Sequence, residues 1–438
     1  MNGAAAIEAK EEKMANVVFT NVRVMDGSGE YPFAGEVLVQ GNRIRRVARG
    51  SRNLPVSGVT VIDGAGATLM PGMTEAHTHF SWNDQPSLEA IFRMPPEEHT
   101  LFAAAAAKVY LDSGFTSCVG AAAAKPRLDV VIRNAINSGQ IPGPRYLANS
   151  QEIGTVGGLG DTAPPHVEHE GLSFACIISG PEEMRRAVRR FIKYGVDLIK
   201  LNLSGEEIAG LGAEETPMDE DEIVAAVREA KKRGKRVCAH ARSAESVKLC
   251  VKHGIEIIYH ASFADEEALD LLEKHKDRHF VAPGLAWLIH TARDAAEWGI
   301  KPGSPMAIQY ERELEAACAT MKKMHKRGIR VLPGGDYGFA WIPHGTNAKD
   351  LEYFVTLLGF TPMEALLSCT KLGGEIMGKP GEIGQVKEGY LADLILVDGD
   401  PLSNIKVLQE KSRLLAIMKD GEFHKWPDVQ PNRMRMVS

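Results

Sequence analysis

Met70-Pro71-Gly72-Met73-Thr74-Glu75-Ala76-His77-Thr78-His79 is the stretch that decides how this chain reads. A short apolar run ends in His-x-His, and an extended strand turns both imidazoles to one side because its side chains alternate with period two. Two neutral imidazoles converging on one point suit a divalent cation of the zinc, cobalt or manganese type. A bare His-x-His is elsewhere an ordinary pair of packed or surface histidines, so its meaning rests on the rest of the chain.

On the N-terminal side, short β-branched runs occupy 17–20, 22–24, 36–39 and 59–62. Gly27-Ser28-Gly29, Gly41-Asn42 and Asp63-Gly64 punctuate them as turns. The far end looks alike, with strand-like runs at 392–397 and 414–418. These two pieces predict a small composite β-sandwich from 16–70 and 378–427, with a flexible leader at 1–15 and a tail at 428–438. Between them the chain alternates. Short apolar runs at 116–119, 145–149, 198–203, 236–241, 256–259, 280–282 and 330–332 join the run before His77 to make eight strand candidates. Helical patterns at 181–194, 219–233, 244–253, 265–274, 310–327 and 361–377 separate most of them, several closed by a capping glycine such as Gly195 or Gly254. The expectation is an α/β chain with a (β/α)8 TIM barrel over 71–377. An open doubly wound sheet is the competing architecture, but no G-x-G-x-x-G turn follows the first strand.

Composition narrows the function. The 438 residues are 44% hydrophobic and 25% charged, as in ordinary soluble globular proteins. A net charge of −6 without any Lys/Arg block argues against nucleic acid as a partner. Six cysteines lie scattered without a C-x-x-C pair, which fits free thiols in a reducing compartment. Residues 1–15 lack the apolar core of a secretory signal, and the alanine runs at 103–107 and 121–124 are too short to cross a bilayer. A cytoplasmic protein acting on a small molecule, with no membrane partner, is expected.

Catalytic groups of such barrels sit at the C-terminal ends of the strands. There the first candidate offers His77 and His79, the fourth Lys200, the fifth His240, the sixth His260 and the eighth Asp336. Each alone has a bland explanation: a snorkelling lysine, a structural histidine, a capping aspartate. Six of them in the order H-x-H, K, H, H, D point jointly to a metal site.

That order resembles the amidohydrolase superfamily of metal-dependent hydrolases, and the flanks agree. Gly72-Met73-Thr74-Glu75-Ala76-His77-Thr78-His79 is similar to its first-strand signature. The segment from Gly384 to Leu394 is similar to its return into the β-sandwich. Gly143-Pro144-Arg145, Ala239-His240-Ala241 and Gly254-Ile255-Glu256 resemble the branch of imidazolonepropionase-like proteins, Xaa-Pro dipeptidases (prolidases), ochratoxin amidases and phenylurea hydrolases. The resemblance implies two divalent metal ions, zinc first and cobalt, manganese or iron as alternatives, bridged by a CO2-derived carbamate on Lys200. His77, His79 and Asp336 would hold one ion, His240 and His260 the other. Asp336 would take a proton from a metal-bridging water and pass it to the leaving nitrogen. The implied activity is hydrolysis of a C–N bond in a hydrophobic amide, urea or carbamate, or in an N-acyl amino acid, by a homo-oligomer. An Xaa-Pro dipeptidase is the alternative. A heterocycle deaminase is disfavoured by Lys200, and a non-catalytic scaffold by the full ligand set.

Loops after the strands supply candidate substrate contacts: Trp82, Arg242, Trp287, His290, Tyr337 and His344. Arg242 suits a carboxylate bound bidentately, or pairing with Glu206 or Glu207. In several relatives a histidine is expected within the glycine-rich loop 155–161; here Leu159 stands there, with His166 and His169 nearby as substitutes.

Overall fold

A computed structural model describes residues 16–166, 171–427 and 434–436. The expected leader, most of the expected tail and His169 lie outside the described residues. The chain divides into two compact units, one of Met1–Thr74, Tyr110–Ser117 and Thr361–Ser438, the other of Glu75–Val109 and Cys118–Phe360.

The first unit carries a nine-stranded sheet drawn from both ends of the chain. Its main order is Glu422–Lys425, Leu414–Lys419, Leu394–Val397, Thr68–Pro71, Asn16–Val24, Phe33–Gln40 and Arg43–Arg49, with Thr60–Asp63 and Met434–Met436 joined to the side. The two β-branched runs at 17–20 and 22–24 form one strand containing a bulge. Phe19 faces Val37 while Val22 faces Gly35, so the strand gains one residue, and Asn21 takes a positive φ of 50° there. The extra residue reverses side-chain parity. Val17 and Phe19 before it, and Val22 and Val24 after it, therefore enter one core with Leu69, Leu394 and Leu396, whereas Val18 joins Leu38, Leu54 and Val59.

The second unit is of α/β type. Six parallel strands lie in the order Cys176–Ile178, Asn149–Thr155, Leu198–Asn202, Arg236–Ala241, Ile257–His260 and Phe280–Ala282. The three-stranded sheet of Met73–Thr78, Phe115–Gly120 and Arg145–Leu147 contributes residues 75–78, 118–120 and 145–147 to this unit. The strands read as continuous apolar runs because both faces are covered. The helices between them show one apolar stripe. Pro181–Tyr194 buries Met184, Ala187, Val188 and Phe191 at i, i+3, i+4 and i+7, and stops at Gly195 in the left-handed region. Among the described residues no helix is long and apolar enough to cross a membrane.

Three local expectations are corrected. The run 145–149 is broken, because Asn149 turns its side-chain amide onto the carbonyls of Gly120 (2.7 Å) and Ala121 (2.8 Å), and a separate strand starts there. The run 330–332 forms a single bridge, Val331 with Val281, and Pro333 after it has no N–H to extend the regular pairing. The pattern at 361–377 becomes two helices, Pro362–Cys369 and Lys371–Ile376, divided at Thr370.

Candidate metal centre

Strand register carries the polar side chains to one cleft of the second unit. Asn202 pairs with His240, His240 with Tyr259, and Ala241 with His260, so successive strands end at a common level. His77, His79, Lys200, His240, His260 and Asp336 all line this cleft. Asp336 Oδ1 lies 3.2 Å from His79 Nε2 and 3.6 Å from His77 Nε2. The rings of His77 and His260 are 5.2 Å apart, those of His240 and His260 4.5 Å.

Aromatic packing holds the first two imidazoles. His77 stacks on Tyr259 at 4.0 Å and His79 on Trp82 at 3.7 Å, while Ala122 O takes His79 Nδ1 at 3.1 Å. Glycine lets the last strand end come this close. A Cβ on Gly334 would sit 2.8 Å from His77 Cβ and 2.9 Å from its backbone nitrogen. His260 (φ 74°) and Asp336 (φ 64°) occupy the left-handed region, which costs non-glycine residues energy and marks over-determined sites.

Burial pushes His77, His240 and His260 well below the ordinary imidazole range, so all three are neutral and carry lone pairs. Burial alone would raise the Asp336 carboxyl; His77 and His79 beside it, with Lys200, hold it well below the usual carboxylate range. Lys200 is buried, its amine 4.0 Å from Glu152 Oε1 and 4.7 Å from the centre of the Tyr259 ring. His77 Nδ1 and His260 Nδ1 are buried without a hydrogen-bond partner, an arrangement that costs about 1–3 kcal/mol per atom unless something else meets them. One ligand atom each from His77, His260 and Asp336 lies within 4.8 Å of the others. Neutral imidazoles converging with a carboxylate fit a borderline divalent cation.

The substrate candidates divide. Trp82 and Trp287 line the cleft. Arg242 is fully buried and engaged by two carboxylates, Glu206 and Glu313, so its guanidinium is not offered to a ligand; this corrects its reading as a carboxylate receptor. His290 is bonded to Asp294 (2.6 Å) and Tyr353 (3.1 Å), Tyr337 is buried against Asp350, and His344 is held at 2.7 Å by Trp82 O. None of these three lines the cleft. Leu159 does, and His166 is exposed away from it.

Several contributors escaped the sequence reading. Glu152, Glu206, Leu88, Ile208 and Phe339 also line the cleft. Glu75 accepts hydrogen bonds from His77 N (3.0 Å), Gly335 N (3.2 Å) and the Thr78 hydroxyl, and burial pushes its carboxyl up to about 8. Asp350 accepts from Gly334 N at 3.0 Å, and burial raises it to about 7. The two carboxyls bracket the glycine pair before Asp336. Glu75 had a signal, since period two puts it on the face of His77 and His79; Asp350 had none.

Known proteins resemble the chain over most of its length. Ochratoxinase of Aspergillus niger is 26% identical over 452 residues, covering 97% of this chain and 90% of the relative. An imidazolonepropionase of Shouchella clausii (strain KSM-K16) is 19% identical over 89% of this chain and 85% of its own. The crystal structure of a Xaa-Pro dipeptidase with bound methionine in the active site superposes with a TM-score of 0.83 at 26% identity, covering 93% of this chain and 99% of that one. The model of the Amidohydrolase family matches residues 68–423. Proteins of that family have a TIM-barrel fold, generally use divalent metals and act on small molecules. With the match spanning both the site and most of the sequence, the chain belongs to the amidohydrolase family and is a hydrolase acting on C–N bonds.

Proposed function

We propose that the chain is a binuclear metallohydrolase cleaving the C–N bond of a hydrophobic amide, urea or carbamate, or of an N-acyl amino acid. The observation that carries the reading is Lys200, a buried amine opening on the same cleft as four imidazoles and Asp336. A buried cation is costly; conversion by CO2 to a carbamate would turn Lys200 into an anionic oxygen ligand. His77, His79 and Asp336 would hold one cation, His240 and His260 the second, with Lys200 between. Zinc suits these ligands, and cobalt, manganese and iron share the preference. Such cations supply Lewis-acid polarisation of a carbonyl and lower the pKa of water. Asp336, kept ionised by its imidazole neighbours, receives the proton released as water attacks and delivers it to the leaving nitrogen. Trp82, Trp287, Phe339, Leu88 and Leu159 give the cleft apolar walls for an aryl or alkyl group.

The closed (β/α)8 barrel with a β-sandwich of both termini is part of this proposal. Its support is the run of backbone bonds Ala121 N to Thr78 O, Ala123 N to Ser150 O, Leu332 N to Val281 O and Ala76 N to Pro333 O, which continues the ladder past both sheets.

A second reading, Xaa-Pro dipeptidase, is favoured by the likeness to the dipeptidase structure. A panel of Xaa-Pro dipeptides against aryl amides and ureas separates the two, and turnover confined to the dipeptides reverses the order. Lys200→Ala tests the shared chemistry: loss of activity, restored in part by a short carboxylic acid, is expected. Full activity without that acid refutes the bridge.

A further inference from the structure

The cleft has an outer neighbour in the same unit. A surface groove of about 660 Å³ is lined by Trp298, Trp341, Met306, Ile300, Pro86 and Ile208. Ile208 also lines the metal cleft, so one side chain is the wall common to both. Aromatic rings run from one to the other: Trp287 and Phe339 in the cleft lie 5.6 and 5.4 Å from Trp341, and Trp341 lies 5.9 Å from Trp298. Trp298 is 39% exposed, an apolar surface that folding alone leaves uncovered.

The shared Ile208 is held at its backbone. Ile208 sits on the short 3-10 turn Glu207–Ala209, and its backbone N–H donates to the Tyr310 hydroxyl at 3.2 Å. That hydroxyl donates in turn to Glu206, which pairs with Arg242. Trp341 is oriented by its indole N–H on Thr291 Oγ1 at 2.9 Å. At about 660 Å³ the groove has room for a two-ring group, since small-molecule sites span roughly 300–1,000 Å³. Among the described residues lining it, Glu207 is the charged one, which disfavours an anion.

We propose that this groove is a distal subsite of the hydrolase, seating the uncharged aromatic end of an elongated amide whose scissile bond lies in the metal cleft. The proposal rests on the hydrolase reading and refines its substrate: long, with an aryl group at the end remote from the bond cut. Ile208, common to the two linings, gives the step between them an apolar side, and a terminal aryl group gains from edge or offset stacking on Trp298 and Trp341.

Binding and turnover test it separately on the full chain. Phenylnaphthylamine is neutral, fluorescent and without a hydrolysable bond. It is expected to bind both metal-loaded and chelator-treated protein, and Trp298→Ala should weaken that binding about tenfold. Met306→Glu, which puts a charge into the seat, should act in the same direction. For turnover, phenylbutyryl nitroanilide is compared with acetyl nitroanilide. The ratio of their kcat/KM values should fall about tenfold in either variant. Unchanged probe affinity and an unchanged ratio in both variants overturn the subsite. So does a Trp298→Ala protein altered in sedimentation alone, which would make the groove a contact between copies of the chain. Probe binding lost in both variants while no anilide is cut keeps the subsite and refutes the hydrophobic-amide reading of the substrate instead.

Discussion

Glu75 and Gly335 are joined by a hydrogen bond of 3.2 Å, backbone N–H to carboxyl oxygen, across 260 residues of sequence. It ties the strand that carries His77 to the segment that carries Asp336. Buried with a carboxyl raised to about 8, Glu75 holds its proton at neutral pH and acts as a neutral brace. Glu75→Ala should lower metal affinity roughly 10- to 100-fold, the cost of losing an outer-shell partner. Glu75→Gln, which matches the protonated acid in shape and charge, should stay much closer to wild type. Chelator competition gives both values, and equal losses in the two variants would contradict the neutral brace.

Gly334→Ala adds one carbon, and that carbon meets His77 at 2.8–2.9 Å. Real Cβ contacts do not come so close, so either the 333–336 segment or the His77 strand must shift. Since metal ligands tolerate displacements of only tenths of an ångström, bound metal measured by elemental analysis should drop at least about tenfold. Full metal content would show that the segment can yield.

Arg242 separates a structural from a receptor role. Arg242→Ala leaves Glu206 and Glu313 buried without their cation, which typically costs about 3–5 kcal/mol. Chemical denaturation should show that loss. The ratio of KM values for carboxylate-bearing and neutral substrates should stay the same, and a selective rise for the carboxylates would restore Arg242 as a receptor.

Away from the site, Glu229 is held down to about 2, chiefly by hydrogen bonds from Arg189 (2.8 Å) and Lys232 (2.6 Å). Its folded pKa lies below the unfolded value near 4.5, so its stabilisation is complete above that pH and disappears as pH falls through 2. As Arg189 and Lys232 are exposed, the contribution is on the order of 1 kcal/mol. Glu229→Gln should therefore be less stable than wild type at pH 6, with the gap narrowing steadily below pH 4.5 in urea titrations. A gap independent of pH would mean that packing, not charge, is lost.

Much of this was written locally in the chain. The helical pattern at 219–233 and the alternation around His77 need only neighbouring residues, and they located the helix Glu220–Lys231 and the strand Met73–Thr78. Glu75 was legible too, had parity been followed backwards from the histidines. The partners of Arg242 were half legible: Glu206 was a candidate, but Glu313 lies 71 residues away on a helix, where nothing local marks it. Asn149 breaks its strand through bonds to carbonyls 28 and 29 residues back, again without a local sign. The torsions of His260 and Asp336 were equally hidden, because they are imposed by what surrounds those residues.

Those two torsions bear on how such a protein can diversify. His260 is both a cleft side chain and the last residue of its strand, still paired with Ala241, and its positive φ turns the chain away from that point on. The loop that begins at Ala261 therefore leaves its strand at the imidazole itself, and the chain beyond Asp336 leaves the cleft from a residue in the same left-handed region. Variation in these loops is then a route to new specificity, so long as the residues packed on the two turned backbones, Gly284 against the His260 ring among them, are kept.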